Sequence, residues 1–377
     1  MTFNDLNLDK SILSALEKQN YLTPTPIQQQ AIPHLLKGED LFGCAQTGTG
    51  KTAAFALPIL QMLNAKAGKT SDRSIKALIL APTRELASQI NDSIKSYSVN
   101  LPIRSTVVFG GVSQLSQTTA IKNGVDILVA TPGRLMDLIS QGFIKLNNIE
   151  FFVLDEADRM LDMGFIADIR RIVAKIPATR QTLLFSATMP PDIKKLADQL
   201  LRNPAFVNVS PVSSTSVTVE QSVYYVEKAD KKELLQFVLQ NSGIDHALVF
   251  TRTKHGADKV AKDLTKKGIR SEAIHGDKSQ NSRQRALKSF KNREIRVLVA
   301  TDIASRGIDV EKLTHVINFE LPEQPETYVH RIGRTGRAGE SGNAISFCTL
   351  DERAYLNSIN RLIKKTIDVV KVHPFSK

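Results

Sequence analysis

The sequence predicts an α/β protein of two similar domains, each a mainly parallel sheet with helices on both faces. Its 377 residues exceed what a single hydrophobic core usually organises. Short apolar runs alternate with helical stretches, and this rhythm stops near residue 208 and then restarts. Because parallel strands need helical crossovers, the alternation of strand and helix favours parallel sheets covered on both faces.

Four apolar runs in the first half have the length and composition of buried strands. They are rich in Val, Ile, Leu or Phe and end in small or polar residues. The runs cover residues 76–82, 125–132, 149–158 and 181–188. The stretches "TAAFALPILQML" and "RELASQINDSIKSY" between them have helical composition and length.

The second half repeats the pattern after a segment with a different composition. Its apolar runs cover residues 246–253, 296–302, 314–320 and 343–349. The intervening "NVSPVSSTSVTVEQ" is rich in Ser, Thr and Val, which indicates an extended linker whose Val-Thr alternation could start a strand. We therefore expect domains at 1–208 and 218–377, joined by a linker at 209–217.

Charge and cysteine content restrict the class of protein. The formal net charge is +12 and the pI is near 9.6, with an excess of +4 basic residues up to residue 210 and +8 after it. This balance favours polyanionic partners through counterion release. Two cysteines, Cys44 and Cys348, are too few and too separated for a disulfide framework or metal site. No apolar run approaches the ~18–20 residues of a membrane span, and the N-terminus lacks the order of a secretory signal, so we expect a cytoplasmic protein.

The segment "AQTGTGKT" fits the phosphate-binding loop pattern, with alanine in the place of its first glycine. It follows the short apolar segment "DLFGC" and precedes a helical stretch, which is the context that the pattern requires. Glycines let the backbone N–H groups wrap phosphates, the lysine reaches the β- and γ-phosphates, and the last threonine offers a hydroxyl to Mg²⁺. The predicted residues are Ala45, Gln46, Thr47, Gly48, Thr49, Gly50, Lys51 and Thr52.

The segment "VLDEAD" (153–158) supplies the carboxylates that such a site needs. A strand ending in Asp155 and Glu156 delivers them to the carboxyl edge of the sheet, where ligands of open α/β folds bind. We expect Asp155 to hold Mg²⁺, partly through water, and Glu156 to orient and deprotonate the attacking water. The alternative is a solvated acidic turn before a helix. The loop at 45–52 favours the catalytic interpretation.

The segment "HRIGRTGRAGE" (330–340) spaces Arg331, Arg334 and Arg337 three residues apart. On a helix this spacing would place all three guanidinium groups along one side. Either they form a solvated basic face, or they meet a multiply charged anion. The second half of the chain contains no phosphate-binding loop to supply one.

These motifs, in this order, resemble the DEAD-box RNA helicases, and the resemblance covers nearly the whole chain. It implies two tandem RecA-like domains, ATP hydrolysis coupled to local RNA unwinding, and ATP and Mg²⁺ as cofactors. The short chain and its "VVKVHPFSK" ending are most similar to the RhlE-like bacterial subgroup. "YLTPTPIQ" (21–28) resembles the adenine-recognising Q motif, so Gln28 would read the adenine edge and Phe3 would stack on its ring, beside Tyr21. The family usually has Gly where this chain has Asn20.

The resemblance also assigns RNA-contacting residues in both domains. They would grip sugar and phosphate without reading bases, so single strands and short duplexes would bind regardless of sequence, and 2′-hydroxyl contacts could distinguish RNA from DNA. In the first domain they are Pro82, Thr83, Arg84, Gly110, Gly111, Thr131, Pro132, Gly133 and Arg134. In the second they are Arg252, Gln280, Arg283 and Thr301.

The remaining motifs would couple RNA binding to hydrolysis. Arg334 and Arg337 would act as arginine fingers on the γ-phosphate of an ATP held by Lys51, once the domains close. Gly307 and Asp309 resemble positions near the ATP ribose and phosphates. The coupling residues would be Asp158, Ser186, Thr188, Arg306, His330 and Arg331, the last two bracing the interface towards the acidic and Ser-Ala-Thr motifs.

Two other functions compete with an RNA-stimulated ATPase that separates duplexes. One is an ATP-gated RNA clamp or scaffold with little unwinding, which could tolerate losing the catalytic residues that are intact here. The other is a DNA-directed helicase or translocase, against which the Q motif and the full Asp-Glu-Ala-Asp sequence argue. Ribosome-assembly or RNA-decay proteins are the expected protein partners, and no membrane association is expected.

Overall fold

The computed structural model describes residues 1–45, 48–66, 74–209, 219–305, 313–336 and 341–376. The chain divides into two compact units, Met1–Pro211 and Val212–Lys377. Of the linker predicted at 209–217, only Val209 lies within the described residues.

The first unit contains one seven-stranded sheet in which every described strand pair is parallel. Its order is β3-β4-β2-β5-β6-β1-β7. The strands are β1 Leu41–Cys44, β2 Ala77–Leu80, β3 Ser105–Val108, β4 Ile127–Ala130, β5 Phe151–Leu154, β6 Gln181–Ser186 and β7 Ala205–Asn208.

Helices connect these strands, as parallel pairing requires. A 3-10 helix at Phe3–Leu6 precedes them. The helices are α1 Lys10–Glu17, α2 Pro26–Leu36, α3 Lys51–Asn64, α4 Arg84–Tyr97, α5 Gln114–Lys122, α6 Pro132–Ser140, α7 Ala157–Asp162, α8 Ile166–Val173 and α9 Pro191–Leu200.

Both faces of the first sheet are buried. In β2, Ala77 and Ile79 join one hydrophobic cluster, whereas Leu78 and Leu80 join another. Since successive side chains of a strand point to opposite faces, the two clusters lie on opposite sides of the sheet. This double burial explains why the central strands are continuous apolar runs without polar alternation.

The second unit repeats the architecture with the order β10-β11-β9-β12-β13-β8-β14, again parallel throughout the described pairs. The strands are β8 Val219–Tyr225, β9 Ala247–Thr251, β10 Ser271–Ile274, β11 Val297–Thr301, β12 His315–Asn318, β13 Gly342–Cys348 and β14 Asp368–Val369. The helices are α10 Lys231–Asn241, α11 Lys254–Lys266, α12 Gln280–Lys291, α13 Asp302–Ser305, α14 Pro325–Ile332 and α15 Arg353–Ile363, with a 3-10 helix at Leu350–Glu352. Counting strands from the start of each unit gives the same order twice.

The predicted fold class is confirmed, and each predicted apolar run overlaps with an observed strand. The sequence reading did not identify β3, β7, β10 or β14, which are outer strands with partly exposed residues. The Val-Thr alternation near the predicted linker leads into β8, which begins at Val219. Among the helices of the described ranges, none is long and apolar enough to cross a membrane.

Candidate functional site

Three neighbouring strands of the first sheet, β5, β6 and β1, lead into the predicted ATP-site motifs. The phosphate-binding loop follows β1, Asp155 follows β5 directly, and Ser186 is the last residue of β6. The carboxyl ends of parallel strands share one edge of a sheet, where open α/β folds bind ligands. The fold therefore brings these motifs together although they are far apart in sequence.

The phosphate-binding loop ends at Lys51, the first residue of α3. Gly50 caps this helix with a φ of +90°, and a Cβ there would lie 2.4 Å from Nε2 of Gln28. Both the backbone conformation and the close approach therefore require glycine. The ammonium of Lys51 donates to the carbonyl oxygen of Ala45 at 2.8 Å, and the side chain is only 5% exposed. A buried cation is thus held within the loop, ready to meet phosphate oxygens.

Gln28 joins the predicted adenine-recognising segment to this loop. Its Oε1 accepts from the backbone N–H of Thr25 at 2.9 Å, and its Nε2 donates to the carbonyl oxygen of Gly50 at 3.0 Å. An amide oxygen has a second lone pair and an amide nitrogen a second hydrogen. Gln28 therefore keeps one acceptor site and one donor beyond these two bonds, which is what the adenine edge requires.

The two aromatic residues predicted near the adenine differ in exposure. The Phe3 ring belongs to the hydrophobic core and is 3% exposed, whereas Tyr21 is 42% exposed and meets Tyr97 edge-on at 6.1 Å. The stacking of Phe3 on the adenine ring stays a prediction. Asn20, which replaces the usual glycine, has a φ of +57°. Asparagine tolerates this left-handed conformation better than most residues, so the turn into the motif survives the substitution.

The acidic motif forms a buried carboxylate cluster after β5. Asp155 and Glu156 are 2% and 3% exposed, and Glu156 has a φ of +56° as it caps α7. Burial is the main reason that the pKa of Asp155 is raised to about 6; the ammonium of Lys51 opposes this shift and the carboxylate of Glu156 adds to it. Oε2 of Glu156 lies 3.5 Å from Nε of Arg159, a neighbour that sequence reasoning did not identify.

The donor set around Asp155 fits a divalent cation. Its Oδ1 is buried without a hydrogen-bond partner, and its pKa is raised because the burial lacks full compensation. In the part of the chain that the structure describes, no group of three or more His, Cys, Asp or Glu could hold a metal. Mg²⁺ commonly uses one or two protein carboxylates together with waters and substrate phosphates. Asp155 and the hydroxyl of Thr52, in the first turn of α3, are the residues that would hold it.

Asp158 binds the Ser-Ala-Thr segment directly. Its Oδ2 accepts from the backbone N–H groups of Ala187 and Thr188 at 3.1 and 3.0 Å, and from the Thr188 hydroxyl at 3.0 Å. Ser186 instead donates its hydroxyl to the carbonyl oxygen of Thr188 at 2.6 Å. The acidic motif and the segment after β6 are therefore one hydrogen-bonded unit.

The first-domain RNA motifs follow the adjacent strands β3, β4 and β2. Gly110 and Gly111 come just after β3, Thr131 is the N-cap of α6 after β4, and Thr83 is the N-cap of α4 after β2. The Thr83 hydroxyl accepts from the N–H of Leu86 at 3.3 Å. Since β2 pairs with β5, this row of motifs continues directly from the ATP-site motifs along the same edge.

The guanidinium of Arg84 lies over the two glycines. A Cβ at Gly111 would be 2.0 Å from its Nη1, and a Cβ at Gly110 would be 3.7 Å from its Nη2. Gly111 also has a φ of +80°. The glycine pair thus leaves the space in which Arg84 reaches the edge of the sheet. In α6, Nε of Arg134 lies 3.4 Å from Oδ2 of Asp137.

The second unit carries its predicted RNA residues at the equivalent edge, after β10, β11 and β9. Arg252 follows β9, Thr301 is the last residue of β11, and Gln280 begins α12 after β10. Gln280 and Arg283 are 2% and 8% exposed. The matching strand orders make this row the counterpart of the β3, β4 and β2 row in the first unit.

Arg252 is held by acidic residues that sequence reasoning missed. Its backbone N–H donates to Oε2 of Glu320 at 2.7 Å, and its Nη2 lies 3.6 Å from Oε1 of Glu352. Glu352 is itself buried and paired with the ammonium of Lys231 at 2.6 Å. Glu320 lies 68 residues after Arg252, and Glu352 lies 121 residues after Lys231. No local spacing in the sequence therefore indicated these pairs.

Arg331 and Arg334 do not share a helix face. Helix α14 ends at Ile332, so Arg334 lies in the turn beyond it. Arg331 is 1% exposed and its guanidinium points into its own unit. It bonds both carboxylate oxygens of Asp302 at 2.6 and 2.8 Å, Oδ1 of Asn318 at 3.0 Å and the carbonyl oxygen of Glu320 at 2.7 Å.

This network uses four of the five N–H donors of Arg331 within its own unit, and its role in bracing the interface towards the acidic motif stays a prediction. Arg334 is 4% exposed and its Nε donates to the carbonyl oxygen of His330 at 3.3 Å. Several predicted residues lie outside those that the structure describes: Gln46, Thr47, Arg306, Gly307, Asp309 and Arg337.

Comparisons with known proteins agree with this arrangement. The DEAD/DEAH box helicase family matches residues 25–196, and the helicase conserved C-terminal domain matches residues 230–339. The DEAD-box ATP-dependent RNA helicase CshA of Streptococcus pneumoniae is 45% identical over 371 residues, covering 98% of this chain and 70% of that protein. The ATP-dependent RNA helicase CshA of Limosilactobacillus reuteri is 43% identical, covering 97% of this chain and 72% of that protein.

A solved structure has the same fold. S. cerevisiae Dbp5 bound to RNA and ADP BeF3 superposes with a TM-score of 0.86 at 30% identity, covering 98% of this chain and 95% of that chain. Because the relatives described here are named CshA, the RhlE-like subgroup is not confirmed. The two matched domains and their coverage establish that the chain belongs to the DEAD-box family of ATP-dependent RNA helicases.

Proposed function

We propose that this chain hydrolyses ATP when RNA is bound and uses the cycle to separate short RNA duplexes and remodel RNA–protein complexes. The observation that carries the proposal is the shared edge of the first sheet. There the ATP-site motifs after β5, β6 and β1 continue directly into the Arg84–Gly111 contact beside β2. One edge that holds both ligands allows each to influence the other.

Hydrolysis would use the buried residues around the phosphate loop. Lys51 would bind the β- and γ-phosphates, exchanging its bond to Ala45 for phosphate oxygens. Mg²⁺, held by Asp155 and Thr52, would stabilise negative charge on the phosphate oxygens. Glu156 would orient the attacking water and accept its proton on the carboxylate. Glu156 is the N-cap of α7, two residues after the end of β5, at a φ of +56°.

Arg334 would complete the site as an arginine finger, with Arg337 beside it. Such a finger neutralises charge that develops in the transition state and is worth ~10³ to 10⁵ in rate in other phosphoryl-transfer enzymes. It acts only when both units close around the nucleotide, and RNA that spans the two would favour closure. The bonds between Asp158 and Thr188 would transmit this state to the rest of the first unit.

RNA would bind through its backbone. Hydroxyls of Thr83 and Thr131, exposed backbone N–H groups and the guanidinium of Arg84 recognise phosphate and sugar, and none of them reads a base edge. The preference for RNA would come from 2′-hydroxyl contacts. A strand kinked across the two units would be incompatible with a continuous duplex, so closure would open base pairs locally.

The test compares ATP hydrolysis with no nucleic acid, single-stranded RNA and single-stranded DNA of the same sequence, followed by separation of a short RNA duplex. The proposal expects stimulation by RNA well above that by DNA, together with ATP-dependent strand separation. Stimulation by DNA alone would contradict the RNA assignment. Hydrolysis without strand separation would favour the alternative, an ATP-gated RNA clamp.

We also propose a cytoplasmic location and protein partners from ribosome assembly or RNA decay. The family membership supports both proposals. Affinity purification of the chain from cells, with and without ribonuclease treatment, tests the partners. Recovery of proteins only through shared RNA would contradict direct partnership.

A further inference from the structure

Helix α11 carries a row of cations that the proposed RNA contacts do not use. Lys259, Lys262 and Lys266, which we call the lysine stripe, are all exposed, and His255 precedes them on the same face. At 100° per residue the four positions fall within about 60° around the helix axis. The distance along the helix from His255 to Lys266 is about 16 Å at 1.5 Å per residue.

The acidic residues of α11 are paired with cations outside the lysine stripe. Within the described residues, its three lysines form no ion pair closer than 4 Å. Of the two acidic residues in α11, Asp258 pairs with His275 and Lys278 at 3.0 and 2.8 Å. Asp263 pairs with Lys232 of α10, and this bond is the main reason that its pKa is lowered, with smaller effects from Lys266 and Lys259.

This arrangement costs helix stability. Like charges at i,i+3 or i,i+4 destabilise a helix by about 0.2–0.5 kcal/mol for each pair. Helix α9 of the same chain shows the usual solution, because Lys194 pairs with Asp198 one turn later at 2.8 Å. The stripe keeps its positive charges together instead, which is the pattern expected of a surface that meets a polyanion.

The position of α11 indicates which polyanion. The helix begins at Lys254, two residues after Arg252, at the edge where the second unit carries its RNA residues. Thr253 caps it by accepting from the N–H of Gly256 at 3.0 Å, as Thr83 caps α4 in the first unit. The stripe thus runs from the proposed RNA edge outward along the helix.

The chemistry of the face argues against a protein or membrane partner. None of the exposed large hydrophobic side chains lies in α11. Protein interfaces are enriched in aromatic residues and Met and depleted of Lys, and helices that lie on membranes need an apolar face. A row of lysines on a helix without exposed large hydrophobic side chains fits a phosphodiester backbone best.

We propose that the lysine stripe binds the backbone of RNA that extends beyond the core contacts, lengthening the RNA footprint along α11. This inference rests on the proposed RNA binding at the carboxyl edge of the second sheet. Its consequence is that long RNAs, single-stranded or with a duplex flank, bind more tightly than RNAs that only fill the core site. Catalysis itself is unchanged, because the stripe touches none of the proposed catalytic residues.

The test neutralises the stripe in the full chain with Lys259→Gln, Lys262→Gln and Lys266→Gln together. The matched control neutralises three exposed cations of the same unit that also make no ion pair within the described residues: Arg361, Lys365 and Lys371. These lie near β14, at the opposite edge of the sheet from β10. Thermal melts of both triple variants check folding, and neutralising the stripe should not lower its Tm, because it removes repulsion.

RNA-stimulated hydrolysis is measured with the shortest strand that gives full stimulation and with the same strand extended by a single-stranded or duplex flank. The stripe variant should keep wild-type values with the short strand. With extended RNA at 0.1 M salt its affinity should fall about 10- to 100-fold, and the slope of log affinity against log salt should become less steep by about 2. The control variant should match wild type.

The outcomes separate this inference from the proposed function. If RNA of any length fails to stimulate the wild-type chain, the proposed function fails and the inference fails with it. If stimulation is normal but the stripe variant retains the wild-type preference for extended RNA, only the inference is overturned, and an acidic protein surface becomes the better candidate for the stripe. An equal loss in the control variant would also overturn it, because it would show a diffuse charge effect.

Discussion

Replacing Gly111 by alanine is expected to weaken RNA binding while leaving ATP binding intact. The new Cβ would lie 2.0 Å from Nη1 of Arg84, so the guanidinium must move. The end of an arginine side chain moves easily, so the clash itself costs little stability. The displaced Arg84 loses its position for a hydrogen bond to the RNA backbone. A hydrogen bond from a charged donor contributes about 1.5–3 kcal/mol, which corresponds to about 10- to 150-fold in RNA affinity.

Gly142 supplies a matched control in the same unit. Its φ of +78° is close to the +80° of Gly111, but a Cβ there would meet nothing within 4 Å. Both alanine variants carry the left-handed backbone penalty of about 1–2 kcal/mol and should lower Tm by about 2–8 °C. Only Gly111→Ala should raise the RNA concentration needed for half-maximal ATP hydrolysis, measured by titration with single-stranded RNA.

A double-mutant cycle makes the test stricter. In an Arg84→Ala background, Gly111→Ala should have almost no further effect on RNA affinity, since the displaced group is already gone. The reasoning would be refuted if Gly111→Ala and Gly142→Ala bound RNA equally well. It would also be refuted if the effects of Gly111→Ala and Arg84→Ala on RNA affinity were additive.

Four further predictions concern the nucleotide site. Because the pKa of Asp155 is raised to about 6, Mg²⁺-dependent ATP binding should weaken as the pH falls through 6; unchanged binding at pH 5 would argue against this role. Because the folded-state pKa of Asp155 is raised, ionising this buried carboxyl lowers the stability of the fold as the pH rises from 3.8 to about 6. Without Mg²⁺, Asp155→Asn should therefore raise Tm at pH 8 and have no effect on Tm below pH 3.8. A lower Tm of the variant at pH 8 would contradict this direction of the pKa shift. Gln28→Ala removes the hydrogen bond to Gly50 and should relax the selectivity for ATP over GTP, measured by competition binding. Full retention of this selectivity would overturn the assignment of Gln28 to the adenine edge. Arg334→Ala should nearly abolish ATP hydrolysis with a much smaller change in ATP affinity. Near-normal turnover would show that Arg334 is not an arginine finger and has only a structural role.

The central part of the fold was predictable because strands buried on both faces must be apolar throughout. Strand β5 is buried at every position, and it ends directly before Asp155, the first carboxylate of the acidic motif. Strands β3 and β10 were not predictable in the same way. Each has three partly exposed residues out of four, so its composition carries little of the strand signal. Their positions depend on pairing with β4 and β11, which is tertiary information.

The site was predictable where chemistry is local and not where it depends on distant partners. The phosphate loop and the acidic motif are each contiguous in the sequence, and each follows a strand. The spacing of Arg331 and Arg334 indicated a shared helix face, yet α14 ends at Ile332. Arg331 turns inward because Asp302, 29 residues earlier, forms a bidentate pair with it. No spacing rule could reveal that partner.

The measurement that tests the central claim most directly is ATP turnover by Glu156→Gln in the presence of RNA. This substitution keeps the shape of the buried side chain and removes the carboxylate that would accept the proton from water. The account predicts that turnover is lost while ATP and RNA stay bound together, observed as RNA retained on the protein only when ATP is present. Turnover like that of the wild-type chain would contradict the assignment of Glu156 and the mechanism built on it.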